Sequence, residues 1–159
     1  VAGCGRVVAI DLADEKLKLA KTLGADVTLN PKTDNVLDAI KDLTNGNGAD
    51  IAMEVVGATP TVKIAVDVVR RGGFITFIGN LAPMVELPMQ AVVTRELTIF
   101  GSCASSTEFP DSLRMLSEGK IKVEPFISAR AKLEETPDWF DRLYAAEAGL
   151  MKVIVQPGA

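Results

Sequence analysis

Short runs of β-branched and small apolar residues, most ending on a carboxylate or a glycine and followed by a stretch of helical periodicity, recur along the sequence. Arg6-Val7-Val8-Ala9-Ile10-Asp11 is the first, and Asp14 to Leu23 follows it with Leu17, Ala20 and Leu23 on one face and Gly24 as its stop. A second unit runs from strand Asp26 to Leu29 through the Asn30-Pro31 turn to a helix from about Asn35 to Leu43, aligned on Val36, Ile40 and Leu43. Asn45-Gly46-Asn47-Gly48 closes it. The third strand, Asp50 to Val56, ends at Gly57, and Thr59-Pro60 opens its helix as cap and first-turn proline, with Val62, Ala65, Val66 and Val69 on the inner face. Gly72-Gly73 leads into strand Phe74 to Ile78, which ends at Gly79; a loop to Glu96 and a strand Leu97 to Phe100 follow, ending at Gly101. A helix from about Pro110 to Ser117, an extended piece Pro125 to Ala129, a helix opened by Thr136-Pro137 and a strand Lys152 to Val155 complete the chain. Strands and helices alternating over short connections form right-handed βαβ units, so the sequence predicts an α/β fold with a doubly wound parallel sheet.

Composition agrees with that architecture. The chain has 159 residues, a length that suits about one domain, and apolar residues make up 48% against only 5% aromatic. Its core must therefore be Val, Ile, Leu and Ala, which suits a parallel sheet buried on both faces. There is no histidine, and the two cysteines, Cys4 and Cys103, lie 99 positions apart. That removes most nucleophile–base triads, histidine acid–base chemistry and histidine-containing metal sites from the chain's own repertoire. A net charge of −4 is the wrong sign for a nucleic-acid partner. The longest uncharged run, the 14 residues Gly72 to Val85, is too short and too interrupted by Gly, Asn and Pro to cross a bilayer. Two distant cysteines and no leader pattern make a reducing, cytoplasmic setting the default.

Ligands of doubly wound sheets bind beyond the carboxyl ends of the strands, which directs attention to Asp11, Gly57, Gly79 and Gly101. A carboxylate there suits a ribose diol, and glycines there admit close approach to the backbone, although each glycine taken singly makes an ordinary turn. Gly3-Cys4-Gly5 is not the phosphate loop: it lacks the third glycine and leads into a strand, whereas the dinucleotide fingerprint must follow a strand and open a helix. That fingerprint belongs about 20 residues before the acidic residue. Only ten residues precede Asp11, so the sequence is expected to begin after it.

Val7-Val8-Ala9-Ile10-Asp11, Lys16, Ala20, Leu23-Gly24-Ala25-Asp26, Asn30-Pro31, Gly48-Ala49-Asp50, Glu54-Val55-Val56-Gly57, Arg71-Gly72-Gly73, Ile78-Gly79, Arg95-Glu96-Leu97, Gly101-Ser102 and Leu150-Met151-Lys152-Val153 form an ordered series. Over nearly the whole chain this series resembles the cofactor-binding portion of medium-chain, zinc-dependent alcohol and polyol dehydrogenases. Arg95-Glu96 and the Leu-Met-Lys-Val ending are more similar to the sorbitol, threonine and butanediol branch than to the primary-alcohol one.

The resemblance implies a Rossmann-type sheet lacking its first strand and glycine-rich loop, with residues 1–103 as a partial NAD-binding domain and 104–159 as a segment that packs on the catalytic domain. It implies that Asp11 accepts from the adenosine ribose hydroxyls, so that NAD is favoured over its 2′-phosphorylated relative. Lys16 resembles the lysine over the same ribose, and otherwise belongs to an exposed Lys16, Lys18, Lys21 face. Val55, Val56 and Gly57 resemble the adenine slot, Gly79 with Ser102 to Ala104 the backbone that holds the nicotinamide carboxamide, and Lys152 the partner of the pyrophosphate. Cys103 reads as a small packing residue. Arg70-Arg71 reads as answering a helix C-terminus, and Trp139-Phe140 with Leu143-Tyr144 as packing.

The function so implied is the cofactor-binding part of an oxidoreductase moving hydride between NAD and a secondary alcohol or polyol. Its zinc would sit in an N-terminal domain outside this sequence, because nothing here can replace the metal ligands, and this chain alone would be inactive. A homo-oligomer, dimer or tetramer, is also implied. The alternatives are a zinc-free NAD(P)H quinone reductase of the same superfamily, or a non-catalytic nucleotide-binding or oligomerisation module using Leu97 to Phe100 as its seam.

Overall fold

The computed structural model describes residues 3–105 and 107–158. Among the described residues, seven strands and six α-helices follow one another as β1 (Val8–Ile10), α1 (Asp14–Thr22), β2 (Val27–Leu29), α2 (Val36–Leu43), β3 (Ala49–Glu54), α3 (Thr59–Val68), β4 (Val69–Phe77), α4 (Met89–Thr94), β5 (Thr98–Gly101), α5 (Phe109–Ser117), β6 (Ile127–Ala131), α6 (Thr136–Tyr144) and β7 (Lys152–Val155). The strands form three separate sheets, in the orders β1-β2, β3-β4-β5 and β6-β7. β3-β4-β5 and β6-β7 are parallel throughout. In the first sheet Val7 C=O accepts from Asp26 and Val27 N–H while Asp11 N–H donates to Leu29 C=O, so these two strands also run the same way. The fold is the α/β, Rossmann-type parallel arrangement that the sequence predicts.

Contacts divide the chain into two compact units. One comprises Val1–Ala9, Ala13–Thr28 and Ser106–Ala159; the other comprises Ile10–Leu12 and Leu29–Ser105.

In the first unit, α1 buries Leu17 and ends in a Schellman closure, with Ala25 N–H on Ala20 C=O and Gly24 N–H on Lys21 C=O. β7 has the bounds expected from sequence and pairs with β6. The aromatic residues of α6 do not pack as expected. Phe140 is exposed and Tyr144 is 97% exposed, while the Arg142 guanidinium lies 4.0 Å over the Trp139 ring.

In the second unit, α2 is capped by Asn35, whose side chain accepts from Asp38 N–H, and buries Val36 and Ile40. α3 buries Val62, Ala65, Val66 and Val68 against β3 and β4. Register settles which face of the sheet it covers. Ala52, Ile75 and Ile99 are partners, as are Glu54, Phe77 and Gly101, and this face carries the fully buried Ile75. The opposite face carries Ile51, Met53, Phe74 and Phe100, all exposed, with the Phe74 and Phe100 rings stacked at 6.2 Å.

Four expectations change here. The helix stops at Val68, and Val69 begins β4 instead of completing the helical face. Arg70 and Arg71 accordingly sit in a strand, paired with Asp50 and Glu96. The C-terminus of α3 is answered from elsewhere: the Arg95 guanidinium donates to the carbonyls of Val66 (2.6 Å), Val69 (3.0 Å) and Asp67 (3.3 Å). Thr59 does not cap α3 either, because it lies within the helix and its hydroxyl accepts from Glu86 N–H. Finally, residues between Gly79 and Glu96 include the six-residue helix α4, too short to leave a readable period.

Candidate nucleotide-binding site

The second unit holds seven of the nine residues singled out from sequence: Asp11, Val55, Val56, Gly57, Gly79, Ser102 and Ala104. Lys16 and Lys152 belong to the first unit.

β3 ends on Glu54, which shares a face with Ala52 and is therefore turned under α3; it is only 3% exposed. Its carboxylate closes the turn that follows. Oε1 accepts from the N–H groups of Val56 and Gly57, both at 2.9 Å, and from the Thr61 hydroxyl at 2.7 Å, while Oε2 accepts from Gly57 N–H at 3.0 Å. The main-chain carbonyl of the same residue accepts from Ile78 (2.8 Å) and Gly79 (3.0 Å). Two further bonds, Leu81 N–H to Val56 C=O and Ala82 N–H to Gly57 C=O, continue the seam. The loops after β3 and β4 are thus one doubled structure.

This explains two of the strand-end glycines differently from the ligand-approach reading. A Cβ on Gly79 would lie 2.0 Å from Gly57 N, and one on Gly57, whose φ is +81°, would lie 2.5 Å from Asn80 N. Each glycine is required by the other loop. Gly101 differs: a Cβ there would meet nothing within 4 Å.

With their backbones held, Val55 and Val56 remain 65% and 45% exposed, an apolar surface at the carboxyl end of the sheet. Asp11 follows β1 directly, and its turn is tied to the one after β2. The Leu12 carbonyl accepts from Asn30 Nδ2 and from Lys32 Nζ, each at 3.4 Å, with Asn30 itself buried. After β5, Ser102 N–H donates to Phe77 C=O at 2.9 Å, and Ala104 takes the left-handed φ of +52°. Cys103 is exposed, so the expectation that it packs is not met. Beyond Gly79, the loop is fastened to α3 by Glu86, whose carboxyl is held below its ordinary range by the hydrogen bond and then the charge of Lys63.

In the first unit, Lys16 lies on the first turn of α1 and lines a cleft of about 250 Å³ with Leu19, Pro125, Ser128 and Leu150. That volume is small for a dinucleotide. Lys152 is exposed at the start of β7 and pairs in register with Ile127.

Glu54, Asn30 and Arg95 carry structural roles that the sequence reading did not assign. For Glu54 a signal existed: it lies two positions beyond Ala52, on the parity of the strand that the following helix covers.

Zinc does not fit this chain's own residues. The sequence has no histidine, both cysteines are exposed, and no group of three Cys, Asp or Glu among the described residues is placed to hold a metal ion. No described helix is long and apolar enough to cross a membrane.

Comparison with known proteins gives a consistent result. The family described as zinc-binding dehydrogenase matches residues 1–118. Sorbitol dehydrogenase of Bacillus subtilis is 29% identical over 98% of this chain and 44% of its own length; an alcohol dehydrogenase of Geobacillus stearothermophilus is 36% identical over 86% of this chain and 40% of its own. The solved alcohol dehydrogenase of Thermotoga maritima superposes with a TM-score of 0.88 at 30% identity, over 98% of this chain and 44% of that one. A zinc-binding dehydrogenase of Sinorhizobium meliloti, solved bound to NADP, gives 0.88 at 29% identity, over 98% and 46%. This chain therefore spans somewhat under half the length of the relatives it matches. With a parallel α/β fold, turns stacked at the carboxyl end of its sheet and a family match over most of its residues, the chain belongs to the zinc-binding dehydrogenase family.

Proposed function

We propose that the chain is the cofactor-binding part of an enzyme that moves hydride between a secondary alcohol or polyol and NAD. The observation that carries this reading is the common unit of Asp11 with the doubled turn around Val55-Val56-Gly57 and Gly79, a carboxylate and an apolar wall on one scaffold. In this reading Asp11 accepts from the ribose hydroxyls and repels a 2′-phosphate, and Val55 and Val56 flank the adenine. Gly79 and Ser102, whose N–H groups are already donated to Glu54 and Phe77, present their carbonyls to the carboxamide, and Ala104 its main chain. Lys16 and Lys152 supply positive charge to ribose and pyrophosphate. The nicotinamide, when bound, supplies the hydride acceptor.

Zinc belongs to residues outside this sequence, and the chain alone is inactive. Residues 1–103 form the cofactor domain and 104–159 the segment that packs on the catalytic one. A homo-oligomer in a cytoplasmic setting completes the proposal. The sorbitol and alcohol dehydrogenases among the relatives support the substrate class, and the NADP-bound relative makes cofactor choice the point to test.

The test uses the full-length protein, titrated with NADH and NADPH and assayed for polyol-dependent reduction of NAD. Asp11→Ser should weaken NADH binding by about tenfold, equivalent to ~1.4 kcal/mol, while leaving NADPH unchanged or improved. Unaltered discrimination in that variant removes Asp11 from the ribose site. Wild-type preference for NADPH would instead favour the reductase reading.

A further inference from the structure

Glu54 is a buried carboxylate whose hydrogen-bond partners among the described residues are all neutral donors, and it joins three parts of the chain. Its side chain takes Val56 N–H, Gly57 N–H and the Thr61 hydroxyl, while its main-chain carbonyl takes Ile78 and Gly79 N–H. We infer that Glu54 is a positioning residue for dinucleotide binding: it sets the path of Val55 and Val56 and the seating of Gly79 without touching the ligand. The inference rests on the nucleotide-binding reading above, and it goes beyond it in giving affinity to a side chain that points away from the site.

The argument is one of alternatives. A four-residue turn carrying two exposed valines and a glycine at φ +81° has no intrinsic reason to hold one shape. Of the two N–H groups that the Glu54 side chain holds, that of the exposed Val56 can turn to water, whereas Gly57 is buried against the second loop. Removing the carboxylate leaves the Gly57 donor unsatisfied, so the turn must shift to regain a partner. A shift there moves the Val55-Val56 wall and, through the bonds from Leu81 and Ala82, the segment after Gly79. A displaced wall lowers affinity in addition to the stability lost with the hydrogen bonds, because misplacement at a positioning surface is itself costly. A glutamine keeps one acceptor oxygen but turns an NH₂ group toward the same donors, so its effect should fall between wild type and alanine.

The experiment compares Glu54→Ala, Glu54→Gln and Thr61→Val with Val66→Ala in the full-length enzyme. Val66 is wholly buried in α3 and makes no part of the turn. The readouts are the NADH dissociation constant, KM for NAD against kcat, and the urea midpoint. Glu54→Ala should raise the NADH dissociation constant and the KM for NAD by about tenfold, and Glu54→Gln by about threefold, with kcat within about twofold. Val66→Ala should lose comparable stability with NADH affinity within about twofold of wild type. If both Glu54 variants bind NADH like Val66→Ala does, the residue is structural only and the inference is overturned. Should Glu54→Ala fail to fold, the glutamine and Thr61 variants decide on the same criterion. A wild-type enzyme that binds neither NADH nor NADPH overturns the nucleotide reading itself, an outcome distinct from either.

Discussion

At the scale of single residues, the strand-end glycines separate into two kinds. Gly57 and Gly79 face each other's backbone, so a methyl at Gly79 has no flexible neighbour to displace. Gly79→Ala should cost about 3 kcal/mol in urea unfolding of the full-length protein, the upper end of overpacking. Gly101→Ala, which meets open space, should stay within about 0.5 kcal/mol. If it nevertheless weakens NADH binding, a ligand approaches the backbone there. The glycine pattern was visible in the sequence, and its position at strand ends was read correctly. Its cause was not, because the atom that excludes a side chain at Gly79 belongs to a residue 22 positions earlier, a relation no local spacing encodes. The place of Asp11 directly after β1 was legible for the opposite reason: a carboxylate ending an apolar strand is a local signal.

At the scale of elements, long periodic segments were readable and their joints were not. α2 and β7 appear close to or at their expected bounds because capping and apolar spacing agree there. The α3–β4 joint was misplaced because Val69 continues the helical spacing of Val62, Ala65 and Val66 while the backbone has already extended. Arginines at the joint drew the capping role that Arg95 performs from 27 residues beyond the helix end. Arg95→Ala should destabilise the full-length protein by about 2 kcal/mol, and lysine should restore less than half, since one ammonium cannot reproduce a planar fork on three carbonyls. Circular dichroism with chemical denaturation measures both.

The loop after Gly79 responds to acid through Glu86. Its carboxyl is lowered from 4.5 in the folded chain by Lys63, so its share of stability is present above that value and is lost as pH falls through the lower folded value. Melting temperature followed from pH 5 downward should fall less steeply in Lys63→Met than in wild type. The difference should shrink in high salt, since both groups are exposed.

At the scale of the molecule, exposed area is the informative quantity. The chain exposes 11102 Å², whereas two separate folded domains of half its mass would expose only about 9,300 Å². A coherent part of the excess is the open face of the β3-β4-β5 sheet, with Ile51, Met53, Phe74 and Phe100 side by side. Parallel sheets are ordinarily covered on both faces, and apolar patches of this kind bind other surfaces. Residues 1–159 expressed alone should therefore bind anilinonaphthalene sulfonate strongly and aggregate, and Met53→Lys should raise the soluble fraction. A soluble, dye-silent product would contradict the open face. The same face bears on how such a chain unfolds. Denaturant slope and heat-capacity change both scale with surface newly bared on unfolding, and here much apolar surface is bare beforehand. For this chain in isolation both quantities should fall below those of an ordinary 159-residue domain, giving a broad, shallow transition even where the midpoint looks normal.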